Sequence, residues 1–258
     1  MKNIDLKEKY NDLHKQGASS WFSTGWEERK GIIEMGEPWT GLNVLEIGCG
    51  EGDLCVLMDM AGANGPIGIE YSDVAFTTAC QRCGHLEFRL GDYRDPNVHP
   101  TKRVDRIVME GVLEHLDDPF KELKWMIDNL LSPGGDIITS SPAFINPRGF
   151  ILMALQKLFN VPITLADLHY LNPWDFERFC EDVNMELDYL SVEYDWGFGQ
   201  NMVDDLKKRL PNCLRDAGMS ELGVPNLIKW LQDMANEVTW EGGDLDGAAI
   251  VYHITRKE

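Results

Sequence analysis

The stretch Val44–Asp53, which reads VLEIGCGEGD, decides the fold of this chain. An apolar run ends in three glycines at alternate positions, and the helix-like residues 54–60 follow at once. This order predicts a strand, a tight turn and the start of a helix, which together form the ligand-binding turn of doubly wound α/β folds. A dinucleotide-binding turn that began at Gly48 would need a further glycine at position 53, where Asp53 stands. The turn is therefore better suited to a nucleoside that places no pyrophosphate on the helix N-terminus.

Strand-like and helix-like stretches alternate from Asn43 to about Tyr194, which predicts a mostly parallel sheet covered by helices. The predicted strands are Asn43–Ile47, Pro66–Tyr71, Leu86–Leu90, Val104–Met109, Asp136–Ser140, Met185–Tyr194 and Ala248–Ile254. Helices are predicted for Asp73–Arg82 behind Ser72, after Asp118 and after Asn172, and around Met202–Leu210 and Val224–Val238.

This pattern divides the chain into four parts. Residues 1–40 are predicted to form an N-terminal helical cover, and residues 41–195 a ligand-binding core. Residues 196–246 are predicted to form a helical insertion or lid, and residues 247–258 the last strand of the core. The apolar stripes of the two covers are typical of packing faces.

The composition is that of a globular protein with a large excess of acidic residues. The chain of 258 residues contains 43 Asp and Glu against 24 Lys and Arg, and its formal net charge is −19. A field of this sign repels polyanions, so we expect no nucleic-acid partner. No apolar run reaches about 18 residues, so no membrane span is expected. The charged residues 1–15 lack a signal-peptide core, and the scattered cysteines, with only Cys80 and Cys83 close together, fit a reducing cytoplasm.

With these features the chain resembles the class I S-adenosylmethionine-dependent methyltransferases, in their broad small-molecule branch. The resemblance rests on VLEIGCGEGDL at residues 44–54 and on motifs that follow it in order, and it covers roughly residues 40–190. It implies a Rossmann-like, doubly wound sheet of seven mostly parallel strands, with the last strand antiparallel beside the sixth. It also implies S-adenosylmethionine as the cofactor and S-adenosylhomocysteine as the product.

The resemblance assigns cofactor roles to residues at the ends of four strands. The turn is expected to hold the methionine part of the cofactor, largely through its backbone, with Glu46, Gly48, Cys49, Gly50 and Gly52. Glu70, which stands twenty residues after Gly50, is placed to accept hydrogen bonds from the ribose hydroxyls, and Tyr71 to lie near the adenine.

The next two strand ends complete the expected cofactor site. Asp92 is expected to accept from the adenine amino group and Tyr93 to pack on the ring, although Asp92 could instead cap its own loop. Glu110 opens the segment that, in the family, runs past the sulfonium and borders the acceptor.

Three residues are candidates for acid–base work on the acceptor. His115 follows the fourth strand, and His169 and Tyr170 precede a helix in the region that usually contributes to the acceptor pocket in related enzymes. A histidine suits a base because its pKa lies near the working pH. Each of these residues also has a structural alternative, since His115 can order its loop and Tyr170 can pack at the helix entry. No metal-ligand pattern is evident, and Asp136 is expected to begin a strand and not to end one, so we expect no metal.

The predicted function is transfer of a methyl group from S-adenosylmethionine to a small molecule, with O-methylation of a sugar or secondary metabolite favoured. N- or C-methylation and a non-catalytic S-adenosylmethionine-binding protein remain alternatives, whereas Asp53 argues against a nicotinamide oxidoreductase. Aromatic residues of the covers would exclude water; they are Trp21, Phe22, Trp26, Trp196 and Phe198. The acceptor is the expected partner, without nucleic acid or membrane, and a homodimer is compatible with the sequence.

Overall fold

The computed structural model describes residue 11, residues 26–164 and residues 166–257, and this part of the chain contains seven strands. They are β1 (Val44–Ile47), β2 (Ile67–Glu70), β3 (Glu87–Leu90), β4 (Val104–Glu110), β5 (Leu131–Pro142), β6 (Met185–Val192) and β7 (Ala249–Arg256). They form one sheet in the order β3-β2-β1-β4-β5-β7-β6, and β7 runs antiparallel to both of its neighbours. The predicted doubly wound sheet with an antiparallel last strand is therefore confirmed.

Helices cover both faces of this sheet. They are α1 (Trp26–Met35), α2 (Asp53–Met60), α3 (Asp73–Arg82), α4 (Pro119–Asn129), α5 (Pro147–Phe159), α6 (Pro173–Val183), α7 (Tyr194–Gly197), α8 (Gln200–Asp216) and α9 (Val224–Glu237). A 3₁₀ turn spans Leu113–His115. Among the described residues, no helix combines the length and apolar character needed to cross a membrane. The predicted cover residues Trp21 and Phe22 lie outside the described residues.

The predicted helix starts are confirmed by their hydrogen bonds. The Ser72 hydroxyl accepts from the backbone N–H of Ala75, and the Asp118 carboxylate accepts from the N–H of Lys121. These side chains satisfy N–H groups that have no partner within the helix.

Two parts of the chain differ from the prediction. Helix α5 was not predicted, and strand β5 begins at Leu131, five residues before the expected start at Asp136. Leu131 already pairs with Val104, and a register shift separates this pair from the pairing of Arg106 with Asp136. The bulge allows the strand to include the proline and glycines of residues 133–135, which sequence rules assign to a turn.

The two faces of the sheet are packed by alternating residues of the same strands. Leu45 and Ile107 belong to a core cluster that includes residues of α4 and α6, whereas Val44 and Val108 belong to a cluster that includes residues of α1 and α2. This alternation is the expected result of a strand with both faces buried.

A third apolar cluster lies apart from the sheet core. It joins residues of α5, α8 and α9, and its fully buried members include Leu152, Met202 and Leu206. Helix α9 contributes only two buried residues to it, Val224 and Leu231. The predicted insertion thus packs on α5, and the proposed boundaries of the four parts stay a prediction.

Candidate active site

The carboxyl ends of β2, β1 and β4 lie side by side, so the loops that follow them meet at one edge of the sheet. The turn after β1 is held there because the backbone N–H groups of Gly48 and Cys49 both donate to the Ile69 carbonyl, at 2.8 and 3.1 Å. Gly50 has a φ of +53°, and a Cβ built on it would have no neighbour within 4 Å. The backbone at Gly50 therefore has open space in front of it, which a ligand can approach.

The Cys49 side chain points away from this open space. A Cβ built on Gly68 would lie only 2.6 Å from the Cys49 sulfur. Cys49 belongs to the apolar cluster that includes Val44, Val108 and residues of α1 and α2. Any contact that Cys49 makes with a ligand in the turn therefore comes from its backbone, as the resemblance implies.

Glu70 is the acid that organises this edge. Its Oε2 accepts from the Gly50 N–H at 2.8 Å, and its Oε1 accepts from the N–H groups of Tyr71 at 2.8 Å and Ser72 at 2.6 Å. A carboxylate has about four acceptor positions, so one position remains for a ligand hydroxyl. Accepting from both ribose hydroxyls would require the Gly50 N–H to release its bond.

Asp92 and Tyr93 follow β3 and face different surroundings. Asp92 is exposed, and its carboxylate accepts from the Arg94 backbone N–H at 2.9 Å and pairs with the Arg94 guanidinium at 3.3 Å. The Tyr93 ring is buried against Trp125, and its hydroxyl donates to Glu122 at 2.6 Å. Asp92 thus lies at the open edge, where its side chain caps its own loop by accepting from the Arg94 N–H. Tyr93 lies in the core.

Arg29 connects α1 to this edge of the sheet, and it was not among the site residues predicted from the sequence. Its Nε donates to both oxygens of Glu110, at 3.0 and 3.1 Å, and its Nη1 lies 3.4 Å from Asp53. Burial raises the pKa of Glu110, and the Arg29 guanidinium opposes that rise. Since Arg29 lies before the stretch covered by the resemblance, no motif could have marked it.

Several carboxyl groups are buried at or near this edge. Burial raises the pKa of Glu46 to about 8, and the nearby Glu110 raises it further. Burial likewise raises the pKa of Glu28, reinforced by Glu110 and Glu193. Burial also raises the pKa of Glu114, with Asp167 as the second cause. With pKa values raised to about 8, Glu28 and Glu46 are largely protonated at neutral pH, so they contribute hydrogen-bonding groups and not negative charge.

The two predicted acceptor segments are brought together here. The backbone N–H groups of Leu168 and His169 donate to the Glu114 carbonyl, at 2.8 and 3.2 Å. This contact places Asp167 beside His115, with 3.4 Å between its Oδ1 and the His115 Nδ1. Both side chains are largely buried. A histidine next to a carboxylate in this way has a fixed ring orientation, which a base requires.

His169 and Tyr170 lie on the outer side of the same segment. The His169 Nε2 lies 3.2 Å from the Asp117 carbonyl oxygen. The Tyr170 ring packs edge-on against Phe144, with 5.2 Å between the centroids, and burial raises the pKa of its hydroxyl. The structure therefore places all three predicted acid–base residues at one edge and gives only His115 a carboxylate partner within the described residues.

Three of these side chains can also hold a metal ion. Glu114, His115 and Asp167 each offer one ligand atom, and these atoms all lie within 4.8 Å of one another. The Glu114 Oε2 is buried and has no hydrogen-bond partner among the residues that the structure describes. One nitrogen and two oxygen ligands suit Zn²⁺, Mn²⁺ or Fe²⁺ better than Ca²⁺. No sequence motif marks this group, because Asp167 is distant along the chain from the other two residues.

The family model of a methyltransferase domain matches residues 22–189, which is more than half of the chain. The chain therefore belongs to the methyltransferase-domain family. The matched range includes β1 to β5 and the whole edge described above.

Two curated relatives are named ubiquinone biosynthesis O-methyltransferases. The protein from Leptothrix cholodnii is 25% identical over 156 residues, which cover 57% of this chain and 65% of the relative. The mitochondrial protein from Dictyostelium discoideum is 22% identical over 189 residues, which cover 64% of this chain and 58% of the relative. The matched part thus spans less than two thirds of either relative.

Solved structures support the same fold. A methyltransferase from Thermotoga maritima, described as a possible histamine N-methyltransferase, superposes with a TM-score of 0.59. The alignment covers 96% of this chain and 98% of that one at 14% identity. Similarity at this level establishes the fold and leaves the acceptor open.

Proposed function

We propose that the protein transfers the methyl group of S-adenosylmethionine to a hydroxyl group of a small molecule, a sugar or a secondary metabolite. The observation that supports this most directly is the buried pair of His115 and Asp167 beside the loop after β4. The names of the two curated relatives support an oxygen acceptor.

The residues of the edge fit the proposed cofactor. The open space at Gly50 leaves room for the methionine part, and Glu70 has an acceptor position left for the ribose. Arg29 has a guanidinium at the same edge and suits the cofactor's carboxylate. When bound, the cofactor would supply a methyl group on a positively charged sulfur, which makes this methyl group reactive toward a nucleophile.

His115 is proposed to take the proton of the acceptor hydroxyl. The hydroxyl oxygen would form a bond to the methyl carbon as the bond from that carbon to the cofactor sulfur breaks and S-adenosylhomocysteine leaves, and the hydroxyl proton would move to the Nε2 of His115. Asp167 holds the ring and stabilises the imidazolium that results. The rest of the catalytic effect is alignment of the acceptor with the methyl group, because a methyl transfer is an in-line displacement.

The roles of His115 and Asp167 can be tested with a substrate screen that detects S-adenosylhomocysteine. On the acceptor found, His115→Gln is expected to lower kcat by about 100-fold or more and leave S-adenosylmethionine affinity unchanged. Asp167→Asn is expected to lower kcat, because the imidazolium that forms on His115 loses the carboxylate that stabilises it. His85→Gln, at an exposed position in the turn before β3, is the control. Unchanged turnover in His115→Gln would remove the proposed base.

Treatment with a chelator distinguishes between two possible roles of His115, that of a base and that of a metal ligand. Because His115 is proposed to act as a base, turnover after EDTA treatment is expected to stay unchanged. Loss of turnover that Zn²⁺ or Mn²⁺ restores would reassign Glu114, His115 and Asp167 to a metal site.

An amine acceptor is the second candidate. The Thermotoga maritima structure, which covers nearly the whole of both chains, is described as a possible histamine N-methyltransferase. The substrate screen therefore includes primary amines beside hydroxyl compounds. Binding of S-adenosylmethionine without turnover on either class would favour the non-catalytic alternative. A cytoplasmic location and a homodimer stay predictions.

A further inference from the structure

A cavity of about 380 Å³ lies at the far end of the sheet from the cofactor turn. It is formed by the segment that follows β6 and the segment that precedes β7, which meet because these strands are antiparallel neighbours. Its lining consists of Tyr194, Phe198, Trp240, two glycines, Asp244 and Asp246. Strand β6 runs in the same direction as β4, because β7 is antiparallel to both β5 and β6. The loops that follow β4 and β6 therefore lie at the same edge of the sheet. Three strand spacings, about 14 Å, separate the two strands.

Two aromatic side chains of this cavity are accessible to solvent. Tyr194 and Trp240 are 48% and 45% exposed. The ring centroids of Phe198 and Trp240 lie 5.4 Å apart at an angle of 35°. The Trp240 indole is held in place because its Nε1 donates to Asp246 at 2.9 Å, and the same oxygen accepts from the Gly243 N–H at 2.7 Å. Aromatic surface is therefore kept in contact with solvent by a fixed hydrogen-bonded loop.

The charge of the cavity has one sign. Asp244 and Asp246 form no ion pair within the described residues, and no basic side chain is among the residues that line the cavity. Residues 193–206 contain four acidic residues and residues 238–255 contain three, and neither segment contains Lys or Arg. Of these acidic residues, Asp205 is paired with Arg148 and Arg209, whereas Asp244 and Asp246 line the cavity and place negative charge next to its exposed aromatic faces.

We propose that this cavity is a binding site for an organic cation, an alkylated ammonium group. The negative face of an aromatic ring attracts a cation, and a methylated ammonium loses less hydration energy on contact with the ring than a metal ion does. The carboxylates of Asp244 and Asp246 supply the complementary charge, and the volume is sufficient for a trimethylammonium group. The proposal does not depend on the methyl transfer proposed above.

Choline and its neutral carbon analogue, 3,3-dimethylbutan-1-ol, test this site because they share shape and differ in charge. The full chain is labelled with ¹⁵N-tryptophan, and Trp240→Phe identifies its indole signal among those of the eight tryptophans. Each ligand is titrated at constant ionic strength. Choline is expected to shift the Trp240 indole signal saturably, and the neutral analogue to bind at least about 10-fold more weakly. Equal binding of the two compounds, or no saturable shift with choline, overturns the proposal.

Variants locate the binding. Trp240→Ala is expected to weaken choline binding by about 2–30-fold, measured on the ligand by saturation-transfer NMR. Asp244→Asn is expected to weaken it and to reduce its dependence on salt. Trp230→Ala, which removes an exposed tryptophan of α9 outside the cavity, is the matched control and should change nothing. An equal loss in Trp230→Ala, or a Ca²⁺-induced shift of the Trp240 signal that choline cannot reverse, overturns the proposal.

Discussion

Glu70 acts at the scale of a single residue on both the turn and the ligand. Its carboxylate accepts from three backbone N–H groups, one of them in the glycine turn. Glu70→Ala is therefore expected to weaken S-adenosylmethionine binding by about 1.5–3 kcal/mol, since charge-assisted hydrogen bonds are lost. Isothermal titration calorimetry measures the change. Glu87→Gln, an exposed acid on the neighbouring strand β3, is the control, and an unchanged affinity in Glu70→Ala would remove the ribose role.

Glu46 makes stability depend on pH. Its pKa is raised by burial to about 8 in the folded chain, against 4.5 for an unperturbed carboxyl group. Between these values the folded state binds more protons than the unfolded state, so this group's contribution to stability falls as the pH rises from about 4.5 to 8. The slope is at most about 1.4 kcal/mol per pH unit.

Glu46→Gln removes that dependence and is the test. Its advantage in free energy of unfolding over the unmodified chain is expected to grow between pH 5 and pH 8, as measured by urea titrations at several pH values. Glu87→Gln should show no such growth, because its carboxyl group is exposed. An advantage for Glu46→Gln that is constant with pH would contradict a raised pKa.

A role can be predicted from the sequence for residues whose partners lie at a fixed spacing. Glu70 could be assigned because a doubly wound fold places an acid about twenty residues after the glycine turn. Arg29 and Asp167 could not, since their partners Glu110 and His115 are joined to them only by the folded arrangement of α1 and of the segment before α6. Long-range pairs of this kind leave no periodic signal in a single sequence.

Helix α5 shows the same limit at the scale of an element. Its sequence, PRGFILMALQKLF, is apolar at most positions, so it has no polar face from which a period of 3.6 could be recognised. The start signal was nevertheless present, because Asn146 precedes Pro147 as a cap precedes a first-turn proline. The helix also leaves Phe150, Leu158 and Phe159 exposed, so its apolar residues do not mark a single buried face.

Asn146 is expected to stabilise the molecule by more than a helix cap does. Its side chain accepts from the Gly149 N–H at 2.8 Å and donates to the Gly247 carbonyl at 2.8 Å, and it is fully buried. Asn146→Ala is expected to lower the free energy of unfolding by about 2–4 kcal/mol, because it removes the cap and leaves a buried carbonyl without a partner. Urea unfolding measures this. Asn212→Ala, at an exposed position of α8, should cost below about 1 kcal/mol, and a similar cost at both sites would contradict the expectation.

At the scale of the whole molecule, the sheet order explains why one edge collects the functional residues. The loops after β1, β2 and β4 were predicted to meet because parallel neighbours end at the same edge. The aromatic cavity beside β6 and β7 was not foreseen, although Trp196 and Phe198 were noted as cover residues, because it depends on which residues two loops turn toward each other.

The separate third cluster predicts that the cover formed by α8 and α9 opens without unfolding the sheet. Helix α9 buries only two of its residues, whereas β1 is buried along its whole length. Few buried contacts mean a low local opening free energy, and a cover beside the proposed acceptor site must open for the acceptor to enter.

Hydrogen exchange followed by mass spectrometry is expected to show α9 exchanging at least about 100-fold faster than β1 and β4. When the urea concentration is raised, the protection of β1 against hydrogen exchange should fall, whereas that of α9 should stay the same, because α9 opens by a local fluctuation. A common exchange free energy for α9 and β1 would mean that the cover and the sheet unfold as one unit, and the predicted lid at residues 196–246 would then be wrong.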